Sequence, residues 1–243
     1  MRTFILIGLL TLNSVSALCA NQMHAVDFFG PGALTSLAEA AAAGQTNKLD
    51  MLVASGADIN AKGVNGMTAL YWAMAHSSKN GVSWLLDHGA NPNIIFARDG
   101  TSATSLAAMQ EDPWFLKEVL THGGDVNVRN PLNEHTPIFD ALAAHRDDNV
   151  RALIAAGADI NTYDHLGLTP LVEAAVNQRY ELVYEMLNAG ADPAMTVPKG
   201  KGNKTILSVV RRSRVPPDAP PYQWQLKVVD LLKQRGLDVE HGD

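Results

Sequence analysis

The stretch Ala155–Pro170, AAGADINTYDHLGLTP, decides the fold because its key elements recur along the chain. Close variants of its Gly-Ala-Asp triplet return at nearly constant steps. The triplets begin at Gly56, Gly89, Gly123, Gly157 and Gly190. Self-similarity at one period indicates a repeat architecture in which each structural unit stacks on its neighbours.

A second marker, a threonine with a small or apolar residue five positions later, keeps nearly the same period. It stands at Thr35, Thr68, Thr104, Thr136, Thr169 and Thr205. Its steps are less even than those of the glycines, which predicts that insertions fall on one side of each unit. Two independent markers that run along most of the chain predict a tandem array.

The residues around Gly157 explain the recurring pattern physically. An apolar helix face is predicted from Val150, Leu153 and Ile154. Gly157 permits the left-handed backbone conformation that ends such a helix. Thr169 can cap the next helix through its side-chain oxygen, and Pro170 suits the first helical position because no donor is needed there. The segment between the helices is predicted to be a projecting turn or short hairpin, here called a tip.

The period and the residue pattern of these units resemble the ankyrin repeat, whose signature is Thr-Pro-Leu-His-x-Ala. The matching segments are TALYWA at 68–73, TPIFDA at 136–141 and TPLVEA at 169–174. The resemblance implies an all-α ankyrin-repeat solenoid of about six helix-turn-helix units with β-turn or hairpin tips. The family's histidine is replaced by Tyr71, Phe139 and Val172, so its hydrogen bond to the neighbouring turn is expected to be replaced or absent. The Thr104 unit lacks the proline.

Three segments are predicted: a signal peptide at 1–20, an N-terminal lead-in at 21–32, and the repeat domain at 33–243. The last repeat carries a proline-rich insertion at 211–222. The net charge of −6, without basic blocks, argues against nucleic-acid or anionic-lipid binding. The 27–32 segment is expected to cap the first helix pair, although it could also reach a partner.

The first twenty residues favour export. The apolar run from Phe4 to Leu12 is too short for a membrane span but suits a secretory signal. An apolar helix that caps the solenoid is the alternative. Cys19 could be lipidated, but Leu18 directly before it argues against a lipoprotein signal. We therefore expect a Sec-exported, periplasmic protein without an integral membrane span.

Motifs for catalysis or cofactor binding are missing from the sequence. The Lys- and Gly-rich segment 198–205 lacks the second glycine of a phosphate-binding loop. The eight histidines show no metal-ligand spacing along one helix, and the carboxylate pairs at 111–112 and 147–148 are expected to be solvated. The sequence therefore predicts no enzyme, no cofactor and no metal.

Protein binding is expected at the tips, because concave surfaces of stacked repeats bind proteins. The candidate contact residues combine apolar, aromatic and charged side chains, the types that dominate interfaces. They are Val64, Met67, Trp72, Ile95, Phe96, Arg98, Arg129, Leu132, His135, Tyr163, His165 and Leu166. Two alternatives stay open at this point: Phe96 folds back onto its repeat, and Trp72 forms core or groove floor.

Exported bacterial ankyrin proteins include immunity proteins that block toxic effectors, among them phospholipases delivered by type VI secretion. The resemblance implies a protein partner of this kind, a secreted toxin or effector. Periplasmic ankyrin proteins that support oxidative-stress defence, or a general scaffold, are the alternatives.

Overall fold

A computed structural model describes residues 24–195 and 205–239 of the chain. Within these ranges it contains thirteen α-helices and no β-strand; one isolated bridge pairs Phe96 with Thr101. In chain order the helices are α1 (Ala25–Phe29), α2 (Ala33–Ala42), α3 (Thr46–Ala54), α4 (Ala69–Ala75), α5 (Lys79–Asp87), α6 (Ala103–Met109), α7 (Pro113–Thr121), α8 (Pro137–Ala143), α9 (Asp147–Ala155), α10 (Pro170–Val176), α11 (Tyr180–Asn188), α12 (Ile206–Arg212) and α13 (Pro221–Gln234).

Helices α2 to α13 form six consecutive pairs. The first helices of the pairs, α2, α4, α6, α8, α10 and α12, pack against one another in chain order. The second helices form an outer row, in which α13 packs closely on α11. One core of buried apolar side chains runs through the units from Leu37 to Leu232. This architecture confirms the predicted all-α solenoid of six helix pairs.

Left-handed glycines follow the second helices, as the sequence predicts. Gly157 has a φ of +86°, and the first glycines of the other four triplets have φ between +81° and +101°. In this conformation the chain reverses, and the amide of the next residue bonds back to the helix, as Ala158 does to the Leu153 carbonyl at 2.9 Å.

Threonine side chains cap three of the first helices, and the cap predicted at Thr169 is confirmed. Thr68, Thr169 and Thr205 each accept a bond from the backbone three residues later. Two of the marker threonines do not cap a helix. Helix α6 is capped by Ser102, and Thr104 lies two residues inside the helix, fully buried. Thr35 likewise lies inside α2, and its hydroxyl donates to the Gly30 carbonyl.

The corrected cap gives the third unit a regular length. Ser102 lies midway along the chain between the caps Thr68 and Thr136. The uneven threonine steps around Thr104 therefore do not reflect an insertion; a serine hydroxyl caps the helix there instead of a threonine. Thr104 takes the core position that Leu70 occupies in the second unit.

The two ends of the array carry special elements. At the N-terminal end α1 packs on α2, and the rings of Phe28 and Phe29 lie 5.5 and 5.9 Å from that of Trp72. At the other end the proline-rich segment connects α12 with α13. The predicted signal peptide, Cys19 and most of the 198–205 loop lie outside the described residues.

Candidate functional site

The tips are held in one row by asparagine side chains. Asn60 donates through Nδ2 to the Gly89 carbonyl at 2.9 Å, and its Oδ1 accepts from the Asn91 amide at 2.7 Å. Asn93 and Asn161 make the same pair of bonds to the next unit. Because a side-chain amide can donate and accept at once, one residue type in register fixes each tip to its neighbour.

A second layer of bonds joins the outer parts of the tips. The Ala97 amide donates to the Asn65 carbonyl at 2.6 Å, and the His165 amide donates to the Asn133 carbonyl at 3.1 Å. Between these two junctions Asn130 Nδ2 donates to the Asp99 carbonyl at 2.9 Å. The four tips between the first and fifth units are therefore one continuous, internally bonded surface.

Large apolar side chains are exposed on three of these four tips. Val64 is 53% exposed, Leu132 is 64% exposed and Leu166 is 54% exposed. Arg98 and His165 are exposed beside them in the tip row. We call these five residues the tip face. Exposed apolar groups rimmed by polar residues mark interaction sites on folded proteins.

Three predicted contact residues lie in the core instead. Met67 is 3% exposed, Trp72 is 3% exposed and Phe96 is 4% exposed. Phe96 folds back beneath its tip, where its ring lies 5.0 Å from that of Tyr71. Trp72 lies on the inner helix α4 and is covered by the α1 aromatic rings, which agrees with the alternative that it forms core. These three residues are therefore not available as contact residues, and the fold-back alternative for Phe96 is correct.

The four other predicted contact residues are either partly buried or bonded to the neighbouring tip. Ile95, His135 and Tyr163 are partly buried. Arg129 is exposed, but its Nη2 donates to Thr162 Oγ1 at 2.7 Å and to the Tyr163 carbonyl at 3.1 Å. It also pairs with Glu134. The Arg129 guanidinium thus holds the third tip against the fourth.

The third and fourth tips also bring together a group of metal-ligating side chains. Ligand atoms of His135, Asp164 and His165 lie within 4.8 Å of one another. His135 comes from one unit and the other two residues from the next, so no spacing along a single helix could indicate the group. Asp140 of α8 adjoins it, and sequence reasoning missed this residue because a lone aspartate in a first helix turn carries no signal.

The outer helices carry polar contacts between units. Arg151 pairs with Glu185 at 2.9 Å and with Asp148 at 3.1 Å, while Asp147 pairs with Arg179. Asp148 is solvated, as expected, with a side chain 84% exposed, whereas the Asp147 side chain is 30% exposed and is held by Arg179. The Arg151–Glu185 and Asp147–Arg179 pairs join neighbouring units, whereas the Arg151–Asp148 pair lies within α9.

His122 is the C-terminal cap residue of α7. Its Nδ1 lies 2.8 Å from the Glu118 carbonyl and its Nε2 lies 3.1 Å from Asp87 Oδ1. The bond to the Glu118 carbonyl, followed by that to Asp87, raises the pKa of His122 above its ordinary value. A cation there interacts favourably with the carbonyl end of α7.

Within the described ranges, no helix combines the length and the apolar composition that crossing a bilayer requires.

Comparison with known proteins agrees with the architecture. The family model described as "Ankyrin repeats (3 copies)" matches residues 9–96 and 104–196. Protein PhlB of the bacterium Serratia liquefaciens is 36% identical over 59% of this chain and 63% of its own length.

Two eukaryotic or viral relatives match shorter shares of their own chains. A putative ankyrin repeat protein of fowlpox virus, FPV024, is 32% identical over 42% of this chain and 17% of its own. Human ankyrin repeat and SOCS box protein 6 is 30% identical over 63% of this chain and 39% of its own. The matches thus cover less than two thirds of each of these relatives.

Proposed function

Because the protein belongs to the ankyrin-repeat family, we propose that it is a periplasmic immunity protein that binds and neutralises a toxic secreted effector, such as a phospholipase. Ankyrin repeats serve protein–protein interaction and are generally not enzymes. A blocking protein must cover an active-site mouth, which requires on the order of 800 Å² per partner. A row of bonded tips offers an extended surface of this kind.

The observation that carries the proposal is the tip face. Val64, Leu132 and Leu166 are more than half exposed although they lie in turns, which are normally polar. Apolar side chains stabilise a fold only when they are buried, so the exposure of these three side chains points to a partner. Arg98 and His165 supply the polar contacts that would orient that partner.

The periplasmic location rests on the sequence alone. The apolar run from Phe4 to Leu12, followed by small and polar residues, supports a signal peptide. Export would place the protein where a toxin delivered to the cell envelope acts. We further propose that the chain has no catalytic activity of its own and acts by covering its partner.

Leu166→Asp tests the tip face. A charge at the centre of an apolar contact should weaken binding of the effector by about 1–3 kcal/mol, which corresponds to roughly a 5- to 150-fold rise in Kd. The partner is first sought among the products of the neighbouring genes, and calorimetric titration then measures its affinity. Thermal unfolding of the variant should be unchanged because Leu166 is 54% exposed.

Met51→Asp is the matched control, since Met51 is 66% exposed but lies on α3 of the outer row. It should leave the affinity unchanged.

In cells that produce the toxin in the periplasm, the full chain should restore growth and a chain without residues 1–20 should not. Equal losses for Leu166→Asp and Met51→Asp would disprove the tip face as the interface, and rescue by the shortened chain would disprove the periplasmic location.

A further inference from the structure

The group formed by His135, Asp164 and His165 has the features of a metal site rather than of a chance cluster. His135 Nε2 lies 3.9 Å from Asp164 Oδ2. The second oxygen of that carboxylate, Oδ1, accepts bonds from the amides of Leu166 and Leu168 at 2.9 and 2.7 Å. The turn therefore fixes Asp164 with Oδ2 directed at the histidine.

Both histidines are oriented from behind through Nδ1. His135 Nδ1 lies 3.5 Å from Asp140 Oδ1, and His165 Nδ1 lies 2.9 Å from the Asn133 carbonyl. Metal-ligating histidines almost always use one ring nitrogen in this way, with a carboxylate or backbone carbonyl as the outer partner. The arrangement leaves Nε2 of each ring as the coordinating atom.

Asp140 supplies an independent observation. Its side chain is 8% exposed, and its Oδ2 is buried without a hydrogen-bond partner among the described residues. A buried carboxylate that is incompletely paired costs free energy. A dication on the far side of the His135 ring would compensate the Asp140 charge through the imidazole, as in a carboxylate–histidine–zinc relay.

We propose that His135, Asp164 and His165 bind a zinc-type divalent transition-metal ion, with Asp140 as the outer partner of His135. Two imidazole nitrogens with one carboxylate oxygen suit zinc, whereas calcium and magnesium prefer oxygen ligands alone. Tetrahedral zinc needs its donor atoms about 3.4 Å apart. The 3.9 Å between His135 Nε2 and Asp164 Oδ2 must therefore close by about 0.5 Å. Rotation of the exposed His165 side chain brings in the third donor atom.

Three protein ligands leave one coordination position open at the surface. The ion would lie where the third and fourth tips join, beside Leu132 and Leu166 of the tip face. It would cross-link two repeats in addition to the asparagine bonds. This inference does not depend on the proposed function, because the ion can be measured in the protein alone.

The test uses the purified full chain without a histidine tag, stripped of metal by a chelator. Calorimetric titration with Zn²⁺ should show one ion per chain. Co²⁺ should give the visible absorption of a tetrahedral nitrogen–oxygen site, without the near-ultraviolet band of a cysteine thiolate. His165→Gln should lower the affinity about tenfold or more, and Asp140→Asn by roughly 10- to 100-fold.

His145→Gln is the matched control. His145 is exposed like His165, but it lies after a first helix and is bonded to Arg179, not to this group. It should leave zinc affinity unchanged. His165 is exposed, so His165→Gln tests the site even if Asp140→Asn unfolds. Absence of saturable zinc binding, or equal losses for His165→Gln and His145→Gln, would overturn the proposal.

Discussion

Tyr71 shows how one residue can take over a family role with different chemistry. It stands where the ankyrin signature has histidine, and its hydroxyl lies 2.8 Å from Thr101 Oγ1 in the next tip. Thr101 Oγ1 in turn donates to Asp99 Oδ1 at 2.6 Å, so Tyr71 is the donor to Thr101. The bond between a first helix and the neighbouring turn is therefore replaced here rather than lost.

Burial, followed by the Asp99 charge, raises the pKa of Tyr71 far above its ordinary value of 10.0. Since the raised pKa belongs to the folded state, its contribution to stability is complete below pH 10 and is lost as the pH rises further. Alkaline unfolding of the wild type should therefore steepen above pH 10. Denaturant titrations at several pH values measure this effect.

Tyr71→Phe removes the hydroxyl and leaves Thr101 Oγ1 without its donor. We expect a loss of about 1 kcal/mol at neutral pH and a weaker decline in stability above pH 10. Tyr222→Phe, on a half-buried tyrosine at the start of α13, is the control and should change neither. A Tyr71→Phe variant with the wild-type alkaline profile would contradict the assignment.

At the scale of the element, the first turn of each outer helix must lie close to the preceding unit. Ser78 Oγ, at the cap of α5, donates to the Ala41 carbonyl at the end of α2 at 2.7 Å. Asn149 makes the corresponding contact from α9, with its Nδ2 2.9 Å from the Ala108 carbonyl. In α5 the equivalent position is Gly81, where a Cβ would overlap the Ala41 carbonyl oxygen.

Gly81→Ala should therefore destabilise the protein, by roughly 1–3 kcal/mol for an overpacked contact. This is the opposite of the gain of about 1 kcal/mol that helix propensity alone would give for alanine in place of glycine. Chemical denaturation measures whether the substitution lowers or raises the free energy of unfolding. Asn80→Ala, one residue earlier in the same turn, is the comparison, and a Gly81→Ala protein more stable than the wild type would refute the close approach.

At the scale of the whole molecule, a repeat array needs a special cover at each end. Helix α1 provides one by laying Phe28 and Phe29 over Trp72 of the second unit. Their backbone also approaches the tip at Gly63, where a side chain would meet the Phe28 carbonyl. The lead-in thus spans the first unit and closes the apolar surface that Trp72 would otherwise expose.

Replacing Phe28 and Phe29 by alanine together should uncover Trp72, which is 3% exposed. We expect the tryptophan emission to shift to longer wavelength and the melting temperature to fall. Because the chain has four tryptophans, the same double substitution is also made in a Trp72→Phe background, where the spectral shift should disappear. A shift that persists there would come from another tryptophan and would contradict this role of α1.

Much of the fold could be predicted from the sequence because its determinants are short-range. The glycine at each second-helix end and the Thr169–Pro170 start act within one turn of their own position, and their regular return reveals the array. The replaced family histidine at Tyr71 was visible too, although not its partner Thr101. The cap at Ser102 was missed because Thr104, two residues later, mimics the same marker.

Only the tertiary structure decided which side chains reach the surface and which meet. Phe96 and Leu132 both lie in tips and are both apolar, yet Phe96 is buried and Leu132 is 64% exposed, because the turn directs one ring against Tyr71. His135 and His165 belong to different units and approach each other only when the two units stack. A repeat period determines the stacking of equivalent positions, but the contacts between non-equivalent side chains arise from packing, which a linear pattern does not contain.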